Sequence, residues 1–245
     1  MRMTSKKARA QAGFTLLELL IAMVLAAIVM AGVYEQIQTA NQRSANEQKH
    51  LDLFQEAREF IDQMSRDLRQ IGYPNPRNID TDSISPSTVA LGLVNIDDRD
   101  ISFEGGLDND NNVLSTQYTY DSSTTGNCPC LKRSQQSKNG TSSGQVEVQN
   151  VQNYIGGNNI PIFRYYTQGG TAEVTYSTTS PLTYDTANGT NAALLAAIDT
   201  IRIELVVESP YADLKTGMKP IVTLVSTVKV TNCSQSTSGT LSCQN

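Results

Sequence analysis

The chain opens on one long apolar stretch and then becomes polar. From Phe14 to Tyr34, 21 residues, the only charged side chain is Glu18. A helix over that stretch rises ~1.5 Å per residue and spans about 31 Å, enough to cross a bilayer core. No glycine or proline follows between residues 33 and 71. Residues 35–50 are polar nearly all round, the pattern of a helix that bridges solvent or lines a subunit interface. A seam then appears at Phe54, Ala57, Ile61, Met64, Leu68 and Ile71, widened by Leu53 and Phe60. These alternating steps of three and four predict one apolar face lying on a globular domain. Gly72 and the run Tyr73-Pro74-Asn75-Pro76 end the element, because proline cannot continue it. The pattern predicts a single helix over residues 14–71, about 87 Å long at ~1.5 Å per residue.

Beyond residue 72 the period changes. Short alternating or apolar segments recur at 88–94, 100–103, 113–120, 145–151, 161–167, 172–177, 200–208 and 221–231. Ile201, Ile203, Leu205 and Val207 alternate with polar residues, so one face of that strand is buried; Val222, Leu224, Ser226, Val228 and Val230 repeat the pattern more weakly. Residues 192–198 read as a short helix, and the Ser/Thr/Asn/Gly stretches at 121–127 and 134–144 as loops. The expected fold class is α+β: one long N-terminal helix, membrane-spanning in its first part, packed against an antiparallel sheet with long loops. The head, residues 72–245, is large enough for one core.

Charge sharpens this picture. Arg2, Lys6, Lys7 and Arg9 precede Gly13 with no acidic residue among them, so the N-terminal end stays cytoplasmic and the remainder is exported. Glu18 lies near the start of a lipid-facing helix, where a carboxylate is costly without a cation; its default reading is functional. A secretory signal would have a shorter apolar core with small residues after it. Ala26, Ala27, Ala31 and Gly32 offer such residues, but that reading leaves Glu18 unexplained.

The segment G-F-T-L-L-E-L-L-I-A-M from Gly13 onward resembles the amino-terminal signature of type IV prepilins and type II secretion pseudopilins. The resemblance covers about the first tenth of the chain. It implies that a prepilin peptidase cuts between Gly13 and Phe14 and methylates the new amine of Phe14. It also implies that Glu18 pairs with the amine of a neighbouring subunit during assembly. The residues alone leave a second pairing open, since Phe14 and Glu18 are four apart on one helix face. Its domain plan is a cleaved leader 1–13, a transmembrane and filament-core helix 14–34, an extension of that helix over 35–71, and an exported head 72–245. Removing the leader leaves 15 basic against 24 acidic residues, a net charge of −9, which argues against a nucleic-acid partner. The strand pair at 200–208 and 221–231 is also similar to the closing strands of PilW-like minor pilins and J-type pseudopilins. Those commonly finish in an Arg-Asn pair, where this chain has Thr231-Asn232.

All four cysteines, Cys128, Cys130, Cys233 and Cys243, fall in the exported part. An even count in an oxidising compartment favours disulfides, and four cysteines allow three pairings. The resemblance implies a Cys233 to Cys243 bond closing a terminal loop, which leaves Cys128 with Cys130; two cross-bonds remain the rival. Zinc is disfavoured because Cys-x-Cys is shorter than usual zinc spacing and the lone His50 lies on the long helix. Asp108, Asp110 and Asn112 place oxygens at alternate positions, a spacing that suits calcium. The complete loop would want glycine in place of Val113 and an acid in place of Thr119, and Asp/Asn-rich hairpin turns need no metal.

The expected function is structural: a minor type IV pilin that joins, primes or caps a pilus, with a minor pseudopilin of a type II secretion filament as the alternative. A binding module of another class, a pilus-tip adhesin, would use the polar loops. No enzyme is expected, because no nucleophile–His–acid set or phosphate-binding glycine loop is visible, and Asp97 and Asp98 are merely adjacent. Expected partners are the prepilin peptidase, other pilins through the N-terminal helix, and the inner membrane before assembly. The final location is a pilus or a periplasmic filament, and no cofactor beyond calcium is foreseen.

Overall fold

The computed structural model describes residues 15–75, 87–123, 128–138, 140, 144–152, 154–155, 158–176, 181–184, 191–212, 217–232, 235–237 and 240–241. The chain divides into two units, residues 1–49 and 50–245. Helix α1, Leu16–Leu68, is unbroken across 53 residues. Within the first unit it is a lone helix whose side chains are almost all exposed.

In the second unit α1 buries Leu53, Ala57, Phe60, Ile61, Met64, Ser65 and Leu68. The expected seam is therefore present, shifted at its start. Leu53 enters the core, while Phe54 stays half-buried with its ring 4.9 Å from that of His50. The helix stops at Leu68, three residues short of the expected Ile71. Ile71 instead forms an antiparallel bridge with Gly105. Gly72 N–H donates to Glu104 C=O at 3.0 Å and Gly106 N–H to Tyr73 C=O at 2.7 Å. A Cβ on Gly105 would lie 2.2 Å from the Gln70 carbonyl oxygen, so only glycine admits this approach. Docking on the sheet ends the helix before its own sequence signal does.

The head carries two main antiparallel sheets. The first is built from β1 (Leu93–Ile96), β2 (Ile101–Leu107), β3 (Val113–Asp121), β4 (Cys130–Ser137), β5 (Gln145–Gln149) and β10 (Leu182–Thr183), in the order β10-β1-β2-β3-β4-β5. The second is built from β8 (Phe163–Thr167), β9 (Ala172–Glu173), β11 (Thr200–Glu208) and β12 (Ile221–Lys229), in the order β12-β11-β8-β9. Two small hairpins, β6 (Tyr154–Ile155) with β7 (Asn158–Asn159) and β13 (Gln235–Thr237) with β14 (Thr240–Leu241), complete the strands among the described residues, and α2 is Ala192–Ala197.

Periodicity located β5, β8, β9, β11, β12 and α2, and all of β3 but its last residue. It missed β4, half of which falls in a stretch read as loop. Leu131 is the one apolar residue of Leu131–Ser137's polar series, and Lys132 onward is half-buried without alternation. That strand is held by charges instead. Lys132 meets Asp121, Arg133 meets Asp67, and the next residue out, Lys138, meets Glu104.

The core lies between α1 and the sheets. Ile201, Ile203, Leu205 and Val207 are fully buried, as the alternation of β11 demands. On β12 only Val228 is buried; Val222, Leu224 and Ser226 are half-covered. The sheets are joined where Val151 bridges Val207, and at the β1–β2 turn, whose Asp98 carbonyl accepts N–H bonds from Ile162 and Phe163 at 2.7 and 3.1 Å.

Candidate assembly site on the N-terminal helix

Thr15 is the first described residue, and it caps α1. Its carbonyl accepts from Glu18 N–H at 3.0 Å and Leu19 N–H at 3.2 Å. Its hydroxyl oxygen also accepts from Glu18 N–H, at 3.3 Å. Thr15-Leu16-Leu17-Glu18 is the T-x-x-E pattern of a capping box, a signal legible in the sequence itself. It places Glu18 in the first turn, where the unsatisfied N–H groups and the helix dipole favour an anion. Gly13 and Phe14 lie outside the described residues.

Among the described residues of the first unit, nothing covers the helix around Glu18. Leu16 is 84 % exposed, Ile28 64 % and Met30 70 %. Twelve large apolar side chains between Leu16 and Val33 are open in this way. At ~1.5 kcal/mol or more for each, covering them gives on the order of 20 kcal/mol. That far exceeds the marginal stability of a typical domain, so lipid or other helices must take the place of water. The helix is long and apolar enough to span a membrane. Further along, Gln38 Nε2 donates to Tyr34 OH at 2.8 Å and Thr39 Oγ1 to Glu35 C=O at 2.9 Å, one-turn contacts on the polar segment.

In the head, the expected calcium residues form a compact turn between β2 and β3. Asp108 Oδ1 accepts N–H bonds from Asp110 at 2.9 Å and Asn112 at 2.8 Å. Its Oδ2 accepts from Ser137 Oγ at 2.5 Å and Asn112 Nδ2 at 3.4 Å. These donors hold its carboxyl below the ordinary value. Asp110 contributes its backbone and Asn112 its amide nitrogen, so the arrangement is that of an Asx-type turn pinned to β4.

Cys128 and Cys130 are joined by a disulfide. Cys233 and Cys243 lie outside the described residues. Asp121 lies near the Cys128–Cys130 bond, with donor atoms within 4.8 Å of one another. A disulfide offers no thiolate, and the Asp121 carboxylate is taken by Lys132 Nζ at 2.5 Å and Ser123 N–H at 2.8 Å, which hold it down to about 2.

Two polar clusters were not foreseen. Asp67 on α1 accepts from Tyr118 OH at 2.6 Å and Arg133 Nε at 2.8 Å, both on Oδ2. Tyr118 is fully buried, and burial together with the Asp67 charge drives its phenol far above the ordinary range. The second cluster is the β1–β2 turn, with Asp97, Asp98 and Asp100 in four residues. Burial first, then Asp98, pushes Asp97 up to about 6. Tyr165 OH donates to the Asp97 carbonyl at 3.0 Å.

Residues 8–34 match the family described as the prokaryotic N-terminal methylation motif, so the chain carries a prepilin-type signature at its N-terminus. No curated protein and no solved structure matches the chain.

Proposed function

We propose that the chain is a minor type IV pilin: a structural subunit cut between Gly13 and Phe14, methylated on Phe14, and assembled through its N-terminal helix. The observation that carries this is the prepilin-type motif at residues 8–34 coinciding with a capped, wholly exposed apolar helix bearing one carboxylate. The motif's class is structural, and it supports processing by a prepilin peptidase and membrane anchoring before assembly. The domain plan follows: leader 1–13, spanning helix 14–34, its polar continuation, and an exported head.

Physical chemistry supplies the drive. Cleavage turns the neutral amide of Phe14 into an ammonium in or beside the bilayer. Glu18, an anion at similar depth, is costly alone and attracts that ammonium strongly in low dielectric. A neighbouring subunit that brings its Phe14 amine to Glu18 covers both the charge and the apolar flank in one step. The experiment is mass spectrometry of the N-terminus of protein recovered from sheared filaments. The expected species begins at a methylated Phe14, and Glu18→Ala is processed yet absent from the filament fraction. A native chain retaining residues 1–13, or Glu18→Ala incorporated normally, would overturn the reading.

A further inference from the structure

The Cys128–Cys130 bond does little to hold the fold. It closes a loop of only three residues, Cys128-Pro129-Cys130. A cross-link stabilises mainly by restricting the unfolded chain, and that restriction shrinks with the loop it closes. The native loop is also fixed without its sulfurs. Pro129 C=O accepts from Val151 N–H at 3.1 Å, and Cys130 pairs across the sheet with Asp121 of β3 and Gln149 of β5. None of these backbone pairings depends on the sulfur bond.

The two cysteines differ in access. Cys130 has zero exposure, whereas Cys128 is half-buried. Exchange requires a thiolate to reach one sulfur while the other leaves. Cys128 is the sulfur open to approach, and Cys130 is the one that departs into the sheet.

Charge at the site does not oppose that approach. The Asp121 carboxylate lies within 4.8 Å of both sulfurs. Alone it would repel a thiolate, but Lys132 Nζ sits on it at 2.5 Å and offsets its charge. Lys132 is two residues along β4 from Cys130 and so shares its face, which puts a cation beside the departing thiolate.

We propose that Cys128–Cys130 is a thiol-exchange site, taking thiols and dithiols at Cys128 with Cys130 as the leaving and resolving sulfur. An incoming thiolate bonds to Cys128 Sγ. The S–S bond breaks, and its electron pair goes to Cys130 Sγ, which takes a proton from water. The second thiol of a dithiol then attacks the mixed bond and releases Cys128. The dithiol ends as its disulfide, and the two cysteines hold its two electrons and two protons. After attack by a monothiol, Cys130 re-forms the original bond and expels it. The head thus carries a covalent handle that opens without unfolding. Nothing in this depends on filament assembly, so its failure would leave the pilin reading standing.

The test uses the full-length chain in detergent, with dithiothreitol and glutathione as probes. After graded dithiothreitol, free thiols are alkylated and mapped by mass spectrometry, while the near-UV signal of the tyrosines follows folding. Cys128 and Cys130 should be alkylated in chains whose near-UV signal is intact. The double variant Cys128→Ser, Cys130→Ser should melt within about 4 °C of the parent. With oxidised glutathione, Cys130→Ser should acquire the adduct at Cys128 at least about 10-fold faster than Cys128→Ser acquires it at Cys130. Three results would each overturn the proposal: a bond that opens only as the head unfolds, a larger fall in the double variant's melting temperature, or equal rates at the two sulfurs.

Discussion

Replacing Asp67 with alanine tests how α1 is held on the head. The substitution takes away the one carboxylate oxygen shared by Tyr118 OH at 2.6 Å and Arg133 Nε at 2.8 Å. It leaves the Arg133 guanidinium, 16 % exposed, without its counter-charge. The Tyr118 hydroxyl loses its acceptor in a site of zero exposure. Removing one member of a buried ion pair costs about 3–5 kcal/mol, and a hydrogen bond to a charged group about 1.5–3 kcal/mol. The two losses share one oxygen and water reaches Arg133 in part, so they do not add; about 3 kcal/mol is expected. Asp67→Asn keeps an acceptor without the charge and should lose about half of that. The assay is urea unfolding of the full chain in detergent, followed by the near-UV signal of its tyrosines, with Arg133→Met completing a double-mutant cycle. Arg133→Met in the Asp67→Ala background should recover stability, because it removes the stranded charge. A loss below about 1 kcal/mol with no coupling to Arg133 would refute the clamp.

Gly105→Ala would force a Cβ to 2.2 Å from the Gln70 carbonyl, backbone that cannot swing away; thermal unfolding should show a loss of about 3 kcal/mol or more, and a near-neutral result would refute the close approach. Asp97 is raised to about 6 when folded, so the stability it contributes is complete below the unfolded value of about 4 and disappears as pH rises through 6. Stability should therefore fall between about pH 4 and 6, by under about 1 kcal/mol since the half-buried group is partly screened by water, with the melting temperature falling over the same range, and Asp97→Asn should flatten that slope. Asp108→Ala should lower the melting temperature by releasing the donors that pin the turn to β4. A chelator-dependent melting temperature that Asp110→Ala abolishes would instead establish calcium there.

Much of this molecule is written in local periodicity. The apolar run with its single Glu18, the seam from Leu53 to Leu68, the alternation of β11 and the Ala-Leu helix α2 each announce themselves within a dozen residues. Burial on one face leaves that local trace. The Thr15 cap was equally legible, in the spacing to Glu18.

Other features have no local trace. Strand β4 has little alternation because its lysines and arginine are neutralised by Asp121, Asp67 and Glu104, and the Arg133 to Asp67 contact spans 66 positions in the chain. The helix ends at Leu68 because Gly105, in another element, admits the Gln70 carbonyl. A sequence determines by itself whatever one residue's neighbours can bury or cap. Tertiary structure decides where charges meet, because a partner's distance along the chain carries no signal of its distance in space.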